Sequence, residues 1–180
     1  MTKILLDCCC GPCSTHCIKI LSENYDIILY VSNFNVHPRE EYEKRLKSLK
    51  KYAEIANLPL IIEEYAPKMW FQAIKGYEDS KEGGVRCKIC FEFRLKMAAE
   101  TAKDLNCEIF TTTLSISPHK NYNNINEIGV KIAKEFDLTF LEANFKKKDG
   151  FKKSVELSKK YDLYRQDYCG CIYSKKEREK

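Results

Sequence analysis

Eight of the ten cysteines fall in three short clusters, Cys8-Cys9-Cys10-x-x-Cys13, Cys87-x-x-Cys90 and Cys169-Gly-Cys171. Thiolates are soft ligands, and four of them hold a structural zinc or an iron–sulfur cluster. Eight sulfurs are more than one tetrahedral ion uses. The pattern points to a metal centre larger than one zinc, assembled from both ends and the middle of the chain. Cys9 and Cys10 are adjacent, and in an extended segment adjacent side chains point to opposite faces. They are therefore expected to serve two centres side by side rather than to chelate one ion. Cys13 is expected in the first turn of a helix, where the helix dipole favours the thiolate. Cys87 and Cys90, three apart at a helix start, share a face. Cys169 and Cys171 project to one side of an extended turn, and Gly170 lets the backbone approach a bulky ligand. Cys8, Cys17 and Cys107 read as core cysteines, which leaves seven candidate ligands.

Two plainer uses compete. A thioredoxin-like dithiol explains one Cys-x-x-Cys pair and leaves the other clusters idle. A closed zinc site with four cysteine ligands leaves thiolates over, and a chain with 44% hydrophobic residues has core enough to fold without a metal.

A scaffold must hold these sulfurs, and the apolar periodicity describes one. Residues 3–7 read as a buried strand that ends in the first cysteine cluster, and Pro12 fits the first turn of the following helix. Residues 26–32 form a second strand. Tyr42, Leu46, Leu49, Ala53 and Ala56 then mark one face of a helix. Residues 60–64 are a third strand, 66–77 a short helix, and 79–86 a mobile loop containing Gly83-Gly84. Cys87 and Cys90 open a long helix striped by Phe91, Leu95, Ala98, Ala102 and Leu105. Residues 108–112 are a fourth strand. A polar loop over 115–120 leads to a helix striped by Ile125, Ile128, Ile132 and Phe136. Residues 138–141 are a fifth strand, and 151–161 are helical. Strands alternating with helices predict an α/β fold: a Rossmann-like, doubly wound, mostly parallel sheet in one domain spanning residues 1–180. Ligands of such sheets bind outside the carboxyl ends of the strands. The segments 8–13 and 111–119 follow the first and fourth strands and are expected to face one cavity.

The net charge of +5 is concentrated at one end. Residues 146–180 carry 12 Lys or Arg against 6 Asp or Glu, whereas the preceding 145 carry 19 against 20. This basic segment reads equally as a phosphate-binding face or a solubilising surface. No apolar run approaches the ~18 residues of a membrane span, and the start is too short in apolar residues for a signal peptide. The expected setting is the cytoplasm, where thiols stay reduced and available to metals, with no membrane partner.

Four motifs together carry a family resemblance: Cys9-Cys10-Gly-Pro-Cys13-Ser, Cys87-x-x-Cys90-Phe-x-x-Arg94-Leu, Thr111-Thr-Thr-Leu-x-x-Ser117-Pro118, and Tyr164-Arg165-Gln166-x-Tyr168-Cys169-Gly-Cys171. In this order and spacing, across nearly the whole chain, they resemble the QueH-type epoxyqueuosine reductase family. The resemblance implies a Rossmann-like fold and the last step of queuosine synthesis. The substrate is a tRNA with epoxyqueuosine at the wobble position. Two electrons and two protons remove the epoxide oxygen and leave an alkene. It also implies a cobalamin-independent centre: a 4Fe-4S cluster beside a second metal ion, expected to be iron. The ligand set carried over is the seven cysteines. Opposed directions at Cys9 and Cys10 lead us to assign Cys9, Cys87, Cys90 and Cys169 to the cluster, and Cys10, Cys13 and Cys171 to the second metal.

An epoxide opens when its oxygen is polarised and then protonated. His119, Tyr168 and Asp7 are the candidate acids. Asp7 stands where the family pattern has His, so it is open to three roles: proton donor, hard ligand for iron or helix cap. Arg94, Ser117, Arg165 and Gln166 are the candidate substrate-binding residues, with Arg94 also able to stabilise an anionic cluster or to form an ion pair. Aromatic residues near the basic segment, with Trp70, Phe71 and the Gly83-Gly84 loop, are candidates for stacking on anticodon bases. Phosphate contacts would make tRNA affinity fall steeply with salt. A ferredoxin or flavodoxin is the expected electron donor. Two rivals remain: a zinc-containing RNA-binding module, and a cluster-dependent tRNA-thiolating enzyme. The second needs a Ser-Gly-Gly-x-Asp-Ser phosphate loop after the first strand, where this chain has residues 8–14 with a single glycine.

Overall fold

Ile4, Leu5 and Leu6 are completely buried, and this run places the first strand at the centre of the sheet. The computed structural model describes residues 1–179. Its strands are β1 (Thr2–Asp7), β2 (Tyr25–Val31), β3 (Leu60–Ile62), β4 (Ile109–Thr112) and β5 (Thr139–Phe140). Its helices are α1 (Gly11–Leu21), α2 (Arg39–Ala56), α3 (Pro67–Ala73), α4 (Val85–Asp104), α5 (Tyr122–Phe136), α6 (Gly150–Lys160) and α7 (Ile172–Arg178). The strands form one parallel sheet in the order β3-β2-β1-β4-β5.

Side chains alternate across a strand, so β1 feeds two cores. Ile4 and Leu6 pack with Ile27, Leu29, Ile18 and Leu49 on the side of α1 and α2. Leu5 packs on the other side with Phe91, Leu95, Ala98, Ile125 and Ile132 of α4 and α5. Truncating a core leucine such as Leu95 to Ala costs about 2–5 kcal/mol in sites of this kind. Gly129 lets α5 approach the sheet: a Cβ there would lie 2.6 Å from the Phe140 ring. From β1 the chain winds outward through β2 to β3, then returns to the other side of β1 as β4. The switch point lies between β1 and β4, and their carboxyl ends lead into residues 8–10 and a 3-10 turn (Thr113–Ile116).

The predicted elements recur with ends shifted by up to four residues, α7 was not expected, and two further features differ. Residues 79–86, expected to be a mobile loop, are pinned by the buried Arg86, which donates to the carbonyls of Glu78 and Ser80 and pairs with Glu177. Trp70, expected to meet nucleic-acid bases, is buried. Among the described residues no helix is long and apolar enough to cross a membrane.

Candidate metal centre

β1 ends at Asp7, Cys8 is buried, and the backbone bends at Cys9 before α1 begins. Gly11 allows this entry, because a Cβ there would lie 2.6 Å from the Ser48 carbonyl oxygen of α2. The bend breaks the strand alternation. The Cys9 and Cys10 sulfurs are 3.7 Å apart, and with Cys13 Sγ all three lie within 4.8 Å of one another. The expectation that Cys9 and Cys10 point apart is therefore corrected. A tetrahedral ion with metal–sulfur bonds of ~2.3 Å has sulfur–sulfur edges of about 3.8 Å, so this trio has the dimensions of a single-ion site.

The trio's electrostatics also differ from expectation. Hydrogen bonds from the Cys10 and Cys13 thiols, helped by the charges of Arg94 and Lys120, hold Cys9 well below the ordinary thiol range. Burial pushes Cys10 up to about 12. Cys13, expected to gain from the helix dipole, is pushed up by its two sulfur neighbours. Of the trio, only Cys9 is shifted toward the thiolate. Thr113 holds it in place, its hydroxyl accepting from Cys9 N–H at 3.1 Å and donating to the sulfur at 3.5 Å.

The other four candidate cysteines lie on α4 and at the chain's end, near enough for their charges to act on one another. The Gly83 N–H donates to Cys87 Sγ at 3.2 Å, and the Ser174 N–H to Cys171 Sγ at 3.4 Å. The Ser174 hydroxyl donates to Glu82 at 2.7 Å and accepts from the Cys169 N–H, so it ties the 79–86 segment to α7. Burial pushes Cys90 up to about 12, with Cys169 and Cys171 adding to the rise. Burial likewise pushes Cys171 up to about 11, with Cys169 and Cys87 adding to it.

Both groups border one cavity of about 220 Å³, lined by Cys9, Cys13, Cys90 and Cys169. Ser117, His119, Lys120, Arg94, Arg165, Gln166 and Tyr168 complete much of its wall, whereas Cys10, Cys87, Cys171 and Asp7 do not line it. The two loops expected to share a cavity do so. The donor set suits a soft metal centre: three sulfurs form one compact trio, four more lie on α4 and at the chain's end, and cations nearby offset thiolate charge. Arg94 adds a buried Nε that has no partner among the described residues.

A family model described as epoxyqueuosine reductase QueH matches residues 4–177. This chain belongs to the QueH family. A QueH from Streptococcus pyogenes serotype M1 is 38% identical over 97% of this chain and 71% of its own length. One from Thermotoga maritima is 35% identical over 99% of this chain and 93% of its own. Solved structures share the fold at low identity. A predicted subunit of tRNA methyltransferase from Methanocaldococcus jannaschii superposes with TM-score 0.60 at 16% identity, over 88% of this chain and 75% of that one. The U34-tRNA thiolase NcsA from Methanococcus maripaludis, solved with its [4Fe-4S] cluster, gives TM-score 0.60 at 13% identity, over 96% and 61%.

On this QueH fold the candidate acids separate. Asp7 is fully buried, one carboxylate oxygen taken by Arg94 at 2.7 Å and the other by the Thr112 hydroxyl at 2.7 Å. It neither faces the cavity nor caps α1, so it positions Arg94 and is not placed to donate a proton. The Tyr168 hydroxyl donates to the carbonyl of His37, and its ring lies 5.3 Å from the Arg45 guanidinium. His119 is exposed at the cavity rim, and only its backbone N–H is engaged, by Ser117 Oγ at 3.3 Å.

The substrate-binding candidates separate too. Arg94 spends its other nitrogen on Asn33 and Asn35, which makes it a buried anchor rather than a surface ion pair. Arg165 is exposed and reaches Ser158. Gln166 was expected to read the nucleotide; its amide instead donates to Cys10 Sγ at 3.0 Å and approaches Cys13 Sγ at 3.6 Å.

Sequence reasoning missed two cations. Arg45 is buried against Glu41 at 2.7 Å and donates to the carbonyls of Cys169 and Tyr168 at 2.9 and 3.0 Å. Gly170 serves this contact rather than a ligand: a Cβ there would lie 2.9 Å from Arg45 Nη1. Lys120 is half-buried in the cavity wall, and its ammonium makes no hydrogen bond or ion pair among the described residues. Although burial opposes its charge, Cys169, Cys9 and Cys13 hold its pKa above the usual lysine value. The Glu41-x-x-x-Arg45 spacing was the only available signal for Arg45, and Lys120 had none.

Proposed function

We propose that this chain reduces epoxyqueuosine at the tRNA wobble position to queuosine, taking two electrons and two protons and releasing the epoxide oxygen as water. Membership of the QueH family supports the reaction. The observation that carries it to this molecule is one cavity bordered by cysteines from the start, middle and end of the chain.

The compactness of the Cys9, Cys10 and Cys13 trio, which leaves the four other cysteines as a set, supports a grouping of the ligands different from the one expected from sequence. Cys87, Cys90, Cys169 and Cys171 would hold the 4Fe-4S cluster, whose four irons keep their thiolates further apart than one ion does. Cys9, Cys10 and Cys13 would hold a second metal, iron by our reading. When bound, the cluster supplies electrons singly and the neighbouring ion polarises the epoxide oxygen.

The chain's own residues do the rest. Gln166 orients Cys10 and Cys13. Lys120 presents a positive charge to the cavity, where it favours the oxygen as negative charge develops on it. His119 delivers a proton to that oxygen from the rim. Arg165 takes a phosphate or ribose of the anticodon loop, with Ser117 beside it on the cavity wall. The basic segment 146–180 both completes the site through Cys169 and Cys171 and supports tRNA binding. A ferredoxin or flavodoxin supplies electrons, and the cytoplasm is the setting.

The test is anaerobic turnover of epoxyqueuosine-containing tRNA with mass analysis of the nucleoside. Loss of one oxygen atom per nucleoside is expected from iron-loaded protein. Zinc-loaded protein that binds RNA and turns nothing over would instead favour the non-enzymatic module.

A further inference from the structure

Trp70, the only tryptophan of the chain, is 1% exposed. Pro67 starts the short helix α3 that carries it. It packs with Phe34, Ile74 and Cys171, and Cys90 lies at the edge of the same cluster. The rings of His37 and Phe71 lie 5.2 and 5.3 Å from it. Its indole N–H is buried and has no hydrogen-bond partner among the described residues. A buried donor without an acceptor costs free energy, and buried indoles usually find a partner. The surrounding carbon side chains offer none. The acceptors at hand are the sulfurs of Cys90 and Cys171 and a ring nitrogen of His37, and of these Cys90 is the one on which the indole N–H acts.

We propose that Trp70 is a tuning residue: in the metal-loaded protein its N–H donates a hydrogen bond to the Cys90 sulfur and raises the reduction potential of the centre that Cys90 helps to hold. The proposal rests on the reading of Cys90 as a cluster ligand. A thiolate bound to iron keeps lone pairs that accept hydrogen bonds. Each N–H aimed at it stabilises the reduced, more negative form, and hydrogen bonds to the sulfurs are a principal means of setting a cluster's potential. Trp70 supplies such a donor from a rigid, water-free position. It reaches the site from α3, an element otherwise outside the catalytic cavity.

The experiment is an anaerobic redox titration of the iron-loaded wild type and the Trp70→Phe variant, followed by cluster absorbance. Phenylalanine keeps an aromatic ring in the core and removes the donor together with the rest of the five-membered ring. The expected result is an unchanged iron and sulfide content with a more negative midpoint potential in the variant. An equal potential in the two proteins, both carrying intact cluster, overturns the proposal. A wild type that holds no iron–sulfur cluster overturns the reading beneath it and is recognised by metal and sulfide analysis before any titration.

If the variant does not fold, wild-type protein labelled with 15N at its single indole answers the same question. Pulsed electron paramagnetic resonance of the reduced cluster should detect the coupled indole nitrogen and its exchangeable proton, the latter lost in D2O. Absence of both couplings overturns the proposal.

Discussion

Arg94 and Asp7 form an ion pair at 2.7 Å in which neither side chain is more than 2% exposed. The pair joins α4 to the carboxyl end of β1 and so fixes the helix that carries Cys87 and Cys90 against the segment that carries Cys9. Removing one partner of a buried pair strands the other charge and typically costs 3–5 kcal/mol. Asp7→Ala should therefore destabilise the metal-free protein by about that amount, measured as a lower urea midpoint. Unchanged stability with lost turnover would return Asp7 to the list of proton donors.

Gln166 is expected to act through sulfur. Groups that orient metal ligands typically contribute 10–100-fold to metal affinity. Gln166→Leu should lower the affinity of the Cys9, Cys10 and Cys13 site by about that factor in chelator competition. The absorbance of the other cysteine group should stay. A variant that retains metal and loses only tRNA affinity would make Gln166 a substrate reader after all.

His119 and Tyr168 make opposite predictions. A positioned general acid contributes about 10²–10⁴-fold, so His119→Ala should lower kcat by that order. Tyr168→Phe loses one hydrogen bond to the His37 carbonyl and should lower stability by about 1 kcal/mol with kcat retained. Full turnover by His119→Ala would remove it from the mechanism.

Most of the scaffold was legible in the chain because its signals are local. The apolar run of β1, the stripes of α4 and α5 and Pro12 at the start of α1 each follow from near neighbours. What was hidden depends on distant ones. Arg45 lies in the solvent-like run Lys44-Arg45-Leu46-Lys47, and it is buried only because the carbonyls of Tyr168 and Cys169 fold onto it. α7 spans seven residues, mostly polar, too few to show a period. The relation of Cys9 to Cys10 was misjudged because alternation holds only while a strand continues. The bend at Cys9 ends it, and the tilt of helical side chains toward the N-terminus brings Cys13 back over the pair.

His37 gives the fold a pH dependence of its own. Its two ring nitrogens are buried without partners among the described residues, and burial lowers its pKa from 6.5 to about 4. The folded value lies below the unfolded one, so the unfolded chain binds the proton first as pH falls. The stability held by neutral His37 is therefore full above about pH 6.5, declines below it and is gone by about pH 4. The total is about 3 kcal/mol. In metal-free protein, His37→Phe should flatten the urea midpoint between those limits. Parallel profiles for variant and wild type would show that His37 does not titrate this way.

The central claim is that sulfurs from three remote segments gather iron in two adjacent groups. Mössbauer spectroscopy of anaerobically loaded 57Fe protein tests it most directly, with wild type compared to Cys10→Ser. The account predicts two iron signals in the wild type, one from a 4Fe-4S cluster and one from a separate thiolate-bound ion. Only the second should be lost in Cys10→Ser. A wild type with a single class of iron, or a Cys10→Ser variant that loses the cluster signal and keeps the other, would contradict it.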